Sequence, residues 1–104
     1  MTKARDRGNG LFTSSSVTSN ITLAAANNYF VDTSSARTLT LPAAPNVGDE
    51  IHIIDATGSA ATNNITVNNN SLNIAGSSQT LLIDVNYAAA VLIYTGSTYG
   101  WRVN

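Results

Sequence analysis

Apolar residues in this chain recur at every second position, in short runs broken by turn residues. Val17, Ser19, Ile21 and Leu23 fall on one face, with Thr18, Asn20 and Thr22 on the other. Leu39 and Leu41 alternate within Arg37–Leu41, and Ile65 with Val67, Leu72 with Ile74, and Leu81 with Ile83 and Val85 continue the pattern. A period of two is the signature of half-buried strands, because successive strand side chains point to opposite faces. Ala90–Tyr94 is apolar on both faces and predicts a central strand buried on both sides. Tyr99 to Val103 predicts a last strand. No window of about ten residues carries the 3.6-residue stripe of a helix.

Turn residues lie between these runs: Asn27-Asn28, Thr33 to Ser35, Pro42 to Gly48, Thr57 to Ser59, Asn68 to Asn70, Ala75 to Ser78, Val85 to Tyr87, and Gly96-Ser97. They recur about every 8–12 residues, the spacing of a sandwich or barrel. The expected fold is all-β: an antiparallel, jelly-roll-like β-sandwich of about eight to ten short strands with an extended N-terminal arm. With 104 residues the chain fits one domain, large enough to bury roughly two-thirds of its unfolded surface.

The arm is set apart by composition. Lys3, Arg5 and Arg7 are three of only five basic residues, and Gly8 and Gly10 flank Asn9. Residues 1–12 therefore read as a flexible basic arm and residues 13–104 as the sandwich domain. No apolar segment follows the basic residues, so the start does not read as a secretory signal. The chain has no cysteine, which excludes disulfide and thiolate chemistry. Its net charge of −1 offers no overall basic field, so neither nucleic acid nor a membrane surface is an expected partner. Charged residues are only 11 % of the chain, and Asn, Ser and Thr take their place. A surface with so little charge repulsion favours self-association or life within an assembly.

Residues 38–58 hold the one cluster that suggests chemistry. Asp49, Glu50 and Asp55 are three of the six acidic residues, and they surround the single histidine, His52. Strand alternation makes most of this cluster structural. Pro42 and Pro45 end one strand, Gly48 supplies a positive φ for the return, and Asp49 caps the turn. In the strand from Glu50 to Asp55, Ile51 and Ile53 point one way, and Glu50, His52 and Ile54 the other. Asp49 and Glu50 then face opposite sides, poor geometry for a two-carboxylate glycosidase. A metal site needs further ligands that a chain with one histidine and no cysteine supplies poorly. Asp55–Gly58 and Asp32–Ser35 read as Asx or Ser/Thr turns ending strands. There is no phosphate-binding glycine loop and no nucleophile elbow. The expectation is no enzyme, no cofactor, no metal and no catalytic residue. Tyr99 and Trp101 share a face that could serve as a sugar platform or subunit interface, or pack in the core.

From Tyr29 the order of features resembles a β-rich module of tailed-phage virion proteins, found in tail fibres and small capsid-associated proteins of phages infecting cyanobacteria and marine bacteria. The matching features are Tyr29 to Thr33, Leu39 to Pro42 with Pro45, Gly48-Asp49, Asp55, Asn63 to Thr66, Ile74 with Gly76, and Tyr94 followed by Gly100-Trp101. They span roughly residues 29–103. The resemblance implies assembly or attachment without catalysis: a capsid decoration or cement protein on the virion surface, made in the host cytoplasm. Its expected partners are itself, as a homotrimer, and the major capsid protein. Lys3, Arg5 and Arg7 are the expected charged part of the capsid-docking arm, with Leu11 and Phe12 as apolar anchors. The other reading is a tail-fibre or receptor-binding module attaching to host surface glycans.

Overall fold

The computed structural model describes residues 12–104, which form nine strands and, among these residues, no helix. They are β1 (Thr13–Val17), β2 (Ile21–Thr22), β3 (Asn27–Val31), β4 (Arg37–Thr40), β5 (Glu50–Asp55), β6 (Ile65–Asn68), β7 (Leu81–Ile83), β8 (Ala89–Tyr94) and β9 (Trp101–Val103). Two sheets result. One has five strands in the order β1-β3-β5-β8-β9, the other four in the order β2-β4-β6-β7.

The all-β expectation holds, but the antiparallel jelly roll does not. β1, β3 and β5 pair in parallel, as do β2, β4 and β6. Only β7, β8 and β9 pair antiparallel to their neighbours. Through its first six strands the chain switches sheets at every corner, so each strand of one sheet is the crossover between two parallel strands of the other. Parallel neighbours need such a long connection, whereas a tight hairpin makes antiparallel ones. Alternation reports which face a side chain takes and says nothing of strand direction, so it could not separate these topologies.

The run from Val17 to Leu23, continuous in its alternation, is split by one of these corners. Val17 ends β1 in the larger sheet, while Ile21 and Thr22 form β2 in the smaller. Asn20 secures the corner by accepting the Thr38 N–H at 2.8 Å. Asn27 and Asn28, expected in a turn, begin β3 instead. Ile74 joins no strand but bridges Ser77 and Trp101.

The inner faces share one core. Val17, Tyr29, Val31, Ile51, Ile53, Leu92, Tyr94 and Trp101 enter it from the larger sheet; Leu23, Leu39, Leu41, Ile65, Val67 and Ile83 enter from the smaller. Each fully buried branched aliphatic side chain contributes about 1.5–3 kcal/mol by leaving water. The expected core positions Leu39, Leu41, Ile51, Ile53, Ile65 and Val67 are all fully buried. β8 lies between β5 and β9, but it is buried on one side only: Ala90, Leu92 and Tyr94 face the core, and Val91 and Ile93 lie half-buried on the outer face.

Candidate functional site

The acids around His52 separate into three structural tasks. Asp49 caps its own turn, its carboxylate accepting the Asn46 N–H at 2.8 Å, and Gly48 beside it has φ +95°. Glu50 and His52 lie on the outer face of the larger sheet, and Asp55 lies inside. Parallel pairing of β3 with β5 sets Asn28 opposite His52. The two ring nitrogens of His52 are both occupied, Nδ1 by Asn28 Oδ1 at 2.7 Å and Nε2 by Glu50 Oε2 at 2.5 Å. The Phe12 ring lies 4.9 Å from the imidazole, centre to centre. Both ring nitrogens are thus engaged within the sheet, and Phe12 covers one face of the ring. Asn28 was invisible as a partner because paired asparagines read as a turn, and only the register brings it to His52.

Asp55 is the most connected side chain. It is fully buried and ends β5 level with Val31, which is itself level with Val17. Oδ1 accepts the Thr33 hydroxyl at 2.7 Å and the Gly58 N–H at 2.9 Å. Oδ2 accepts the Ala60 N–H at 3.0 Å and the Tyr87 N–H at 2.9 Å. Burial alone would push this carboxyl up, but these donors outweigh it and lower it from 3.8 to about 2. The expected strand-ending turn is therefore also a buried junction of four chain segments. Thr33, also fully buried, escaped sequence reasoning because it sits within an Asx turn, where Asp32 Oδ1 accepts the Ser34 N–H at 2.9 Å.

The aromatic pair near the C-terminus does not form a platform. Trp101 is fully buried with its ring 5.2 Å from that of Tyr94, while Tyr99 is 66 % exposed in the β8–β9 turn. Among the described residues the Trp101 indole N–H has no hydrogen-bond partner. Tyr99 instead lines a surface cleft with Ala75, Gly76, Thr95 and Arg102.

The outer face of the larger sheet carries a second feature. Register rows place Phe30, Ile54 and Ala89 side by side, and His52 beside Val91. Ile93, paired with Arg102, extends the apolar strip, and Phe30 is 40 % exposed. Phe12 is half-buried at one end of this face. The other docking residues expected from sequence, Lys3, Arg5, Arg7 and Leu11, lie outside the described residues. Among the described residues no group of three or more histidine or acidic side chains gathers as a metal-binding set.

Compared with models of known protein families and with curated proteins, the chain matches none.

Proposed function

We propose that this chain is a virion structural protein of a tailed phage, a capsid decoration or cement protein that binds the outer shell as an oligomer and stabilises it. The observation that carries the reading is the outer face of the larger sheet, where Phe30, Ile54, Val91 and Ile93 form an apolar strip on a weakly charged protein. Contiguous apolar surface rimmed by polar groups marks a contact with another protein. The sequence resemblance supplies the virion setting. The engagement of Glu50, His52 and Asp55 in structural hydrogen bonds favours assembly over catalysis.

In this reading the strip meets further copies of the chain in a homotrimer. Residues 1–12 reach the major capsid protein, with Lys3, Arg5 and Arg7 as the charged contacts and Leu11 and Phe12 as the apolar ones. Weak contacts from each copy sum over a closed oligomer. The test compares the full chain with a form lacking residues 1–12 on shells stripped of the protein. The shortened form is expected to stay folded and lose shell binding; full binding by it overturns the proposal. Solution mass checks the trimer, and Phe30→Ser together with Ile93→Ser should lower it to that of one chain.

A second reading is a tail-fibre or receptor-binding module that attaches to host glycans. The cleft beside Tyr99 and Arg102 favours it. Finding the protein in many copies on the shell supports the first reading; a few copies at one vertex support the second.

A further inference from the structure

The loop that carries Ala75 and Gly76 and the turn between β8 and β9 enclose a cleft of about 440 Å³, lined by Ala75, Gly76, Thr95, Tyr99 and Arg102. That volume falls within the range of small-ligand sites, about 300–1,000 Å³. Its frame is hydrogen-bonded to the sheet. Ala75 N–H donates to Trp101 O at 2.8 Å and Gly76 N–H to Tyr99 O at 2.9 Å. Thr95 N–H and its hydroxyl both donate to Gly100 O, at 2.9 and 2.6 Å. The cleft is therefore pre-formed and needs little ordering on binding.

Its lining is selective in kind. Ala75, Gly76 and Thr95 line the cleft with small residues. The Tyr99 ring stands beside Gly76, where a Cβ would lie 3.8 Å from Tyr99 Cδ1. Arg102 is exposed on the same outer face and forms no ion pair among the described residues. An unpaired guanidinium presents a planar fork that matches a carboxylate, and an exposed tyrosine presents a ring against which a sugar's C–H face can stack. The Thr95 hydroxyl keeps lone pairs free to accept from a sugar hydroxyl.

We infer that this cleft is a subsite for an acidic saccharide, which places a pyranose ring against Tyr99 and its carboxylate on Arg102. The proposal rests on the attachment reading and is independent of shell docking through residues 1–12, so the two fail separately.

The experiment titrates the full chain with glucuronate, its methyl ester, glucose and an acetylated aspartate amide, following backbone amides by NMR. Glucuronate is expected to give saturable shifts confined to residues around Gly76, Thr95, Tyr99 and Arg102, with weaker binding of the ester and of glucose. Arg102→Gln should weaken glucuronate by about tenfold and erase its advantage over the ester, since a charge-assisted pair is lost. Tyr99→Ala should weaken acid and ester alike. Both side chains are exposed, so both variants should keep the melting temperature of the parent, which separates lost binding from lost fold. No localised shifts, equal binding of acid and ester, or binding of the aspartate amide in place of the sugar would each overturn the proposal. A protein that fails here but still docks through its arm leaves the shell reading standing.

Discussion

The Thr33 hydroxyl donates a 2.7 Å hydrogen bond to Asp55, joining the turn after β3 to the end of β5 inside the core. Asp55 occupies the position that Val17 and Val31 hold in the two preceding strands of the larger sheet. A carboxylate in an apolar column is tolerable only because four donors meet it. Three of them are backbone N–H groups, from Gly58, Ala60 and Tyr87, so the side chain ties the loop after β5 and the loop before β8 to the strand end, where the Asp55 N–H also donates to Ala88 O at 2.9 Å.

This junction sets the acid limb of stability. The carboxyl is lowered to about 2 in the folded chain, so its contribution is fully present above the unfolded value of 3.8 and is lost as pH falls from there through about 2. The loss should be about 2 kcal/mol. Denaturant midpoints measured from pH 7 down to pH 2 should fall steeply over that last interval. Asp55→Asn should lower stability at pH 7 by about 3 kcal/mol, because one amide oxygen replaces a charged double acceptor. It should also flatten the acid limb; an unchanged slope in the variant would show that another carboxyl governs it.

Asn70 and Ser71 both have positive φ, +50° and +68°, within a turn closed by the Leu72 N–H to Asn69 O bond of 3.0 Å. Two central residues of positive φ are the mark of a type I′ turn, which prefers Asn-Gly. Asn70 suits its place, but Ser71 holds a Cβ where glycine fits without strain. Ser71→Gly should raise stability by about 0.5–1 kcal/mol, a gain of roughly 4 °C in melting temperature for a domain of this size. Calorimetry of the two forms checks this.

Gly100 cannot carry a side chain. It has φ +74°, and a Cβ there would lie 1.9 Å from the Asn73 carbonyl oxygen. That carbonyl accepts the Trp101 N–H at 2.9 Å and so is held against β9. Gly100→Ala should cost about 3 kcal/mol or more, through strain and the displaced bridge. Because this backbone also frames the cleft beside Tyr99, the variant should melt early and lose the glucuronate response together.

The pair of Glu50 and His52 should matter little to stability. The side chains are 32 % and 28 % exposed, so water screens their attraction. Glu50→Gln should cost less than about 1 kcal/mol, as measured by denaturant unfolding of the two forms. A loss several times larger would mean that this face is buried against a partner.

Much of the core was legible from sequence. The strand Glu50–Asp55 has the predicted inward Ile51 and Ile53 and outward Glu50, His52 and Ile54, because a pleated strand converts residue parity directly into face. The Gly48 turn and the Asx turn at Asp32 were equally legible, since one residue's φ preference or short side chain decides each locally. Parallel pairing was not. Thr13 pairs with Asn27 and Asn27 with Ile51, so the successive coils differ in length and leave no fixed period to detect.

The candidate sites divide in the same way. Asp55 was identified as the cap of its strand, but its contact with Thr33 depends on two parallel strands lying side by side. Trp101 and Tyr99 have the same parity, yet one fills the core and the other lines the cleft, because β9 begins only at Trp101 and Tyr99 lies in the turn before it. Sequence by itself determined that this chain forms short strands, most of the residues they bury and several of the turns, though not the corner between Val17 and Ile21 or the strand start at Asn27, because those features follow from properties of neighbouring residues. Tertiary structure alone decided which strands meet, in which direction, and hence that Asn28 faces His52, Thr33 faces Asp55 and Arg102 shares a cleft with Tyr99. Those relations depend on register between segments far apart in the chain, which local chemistry does not specify.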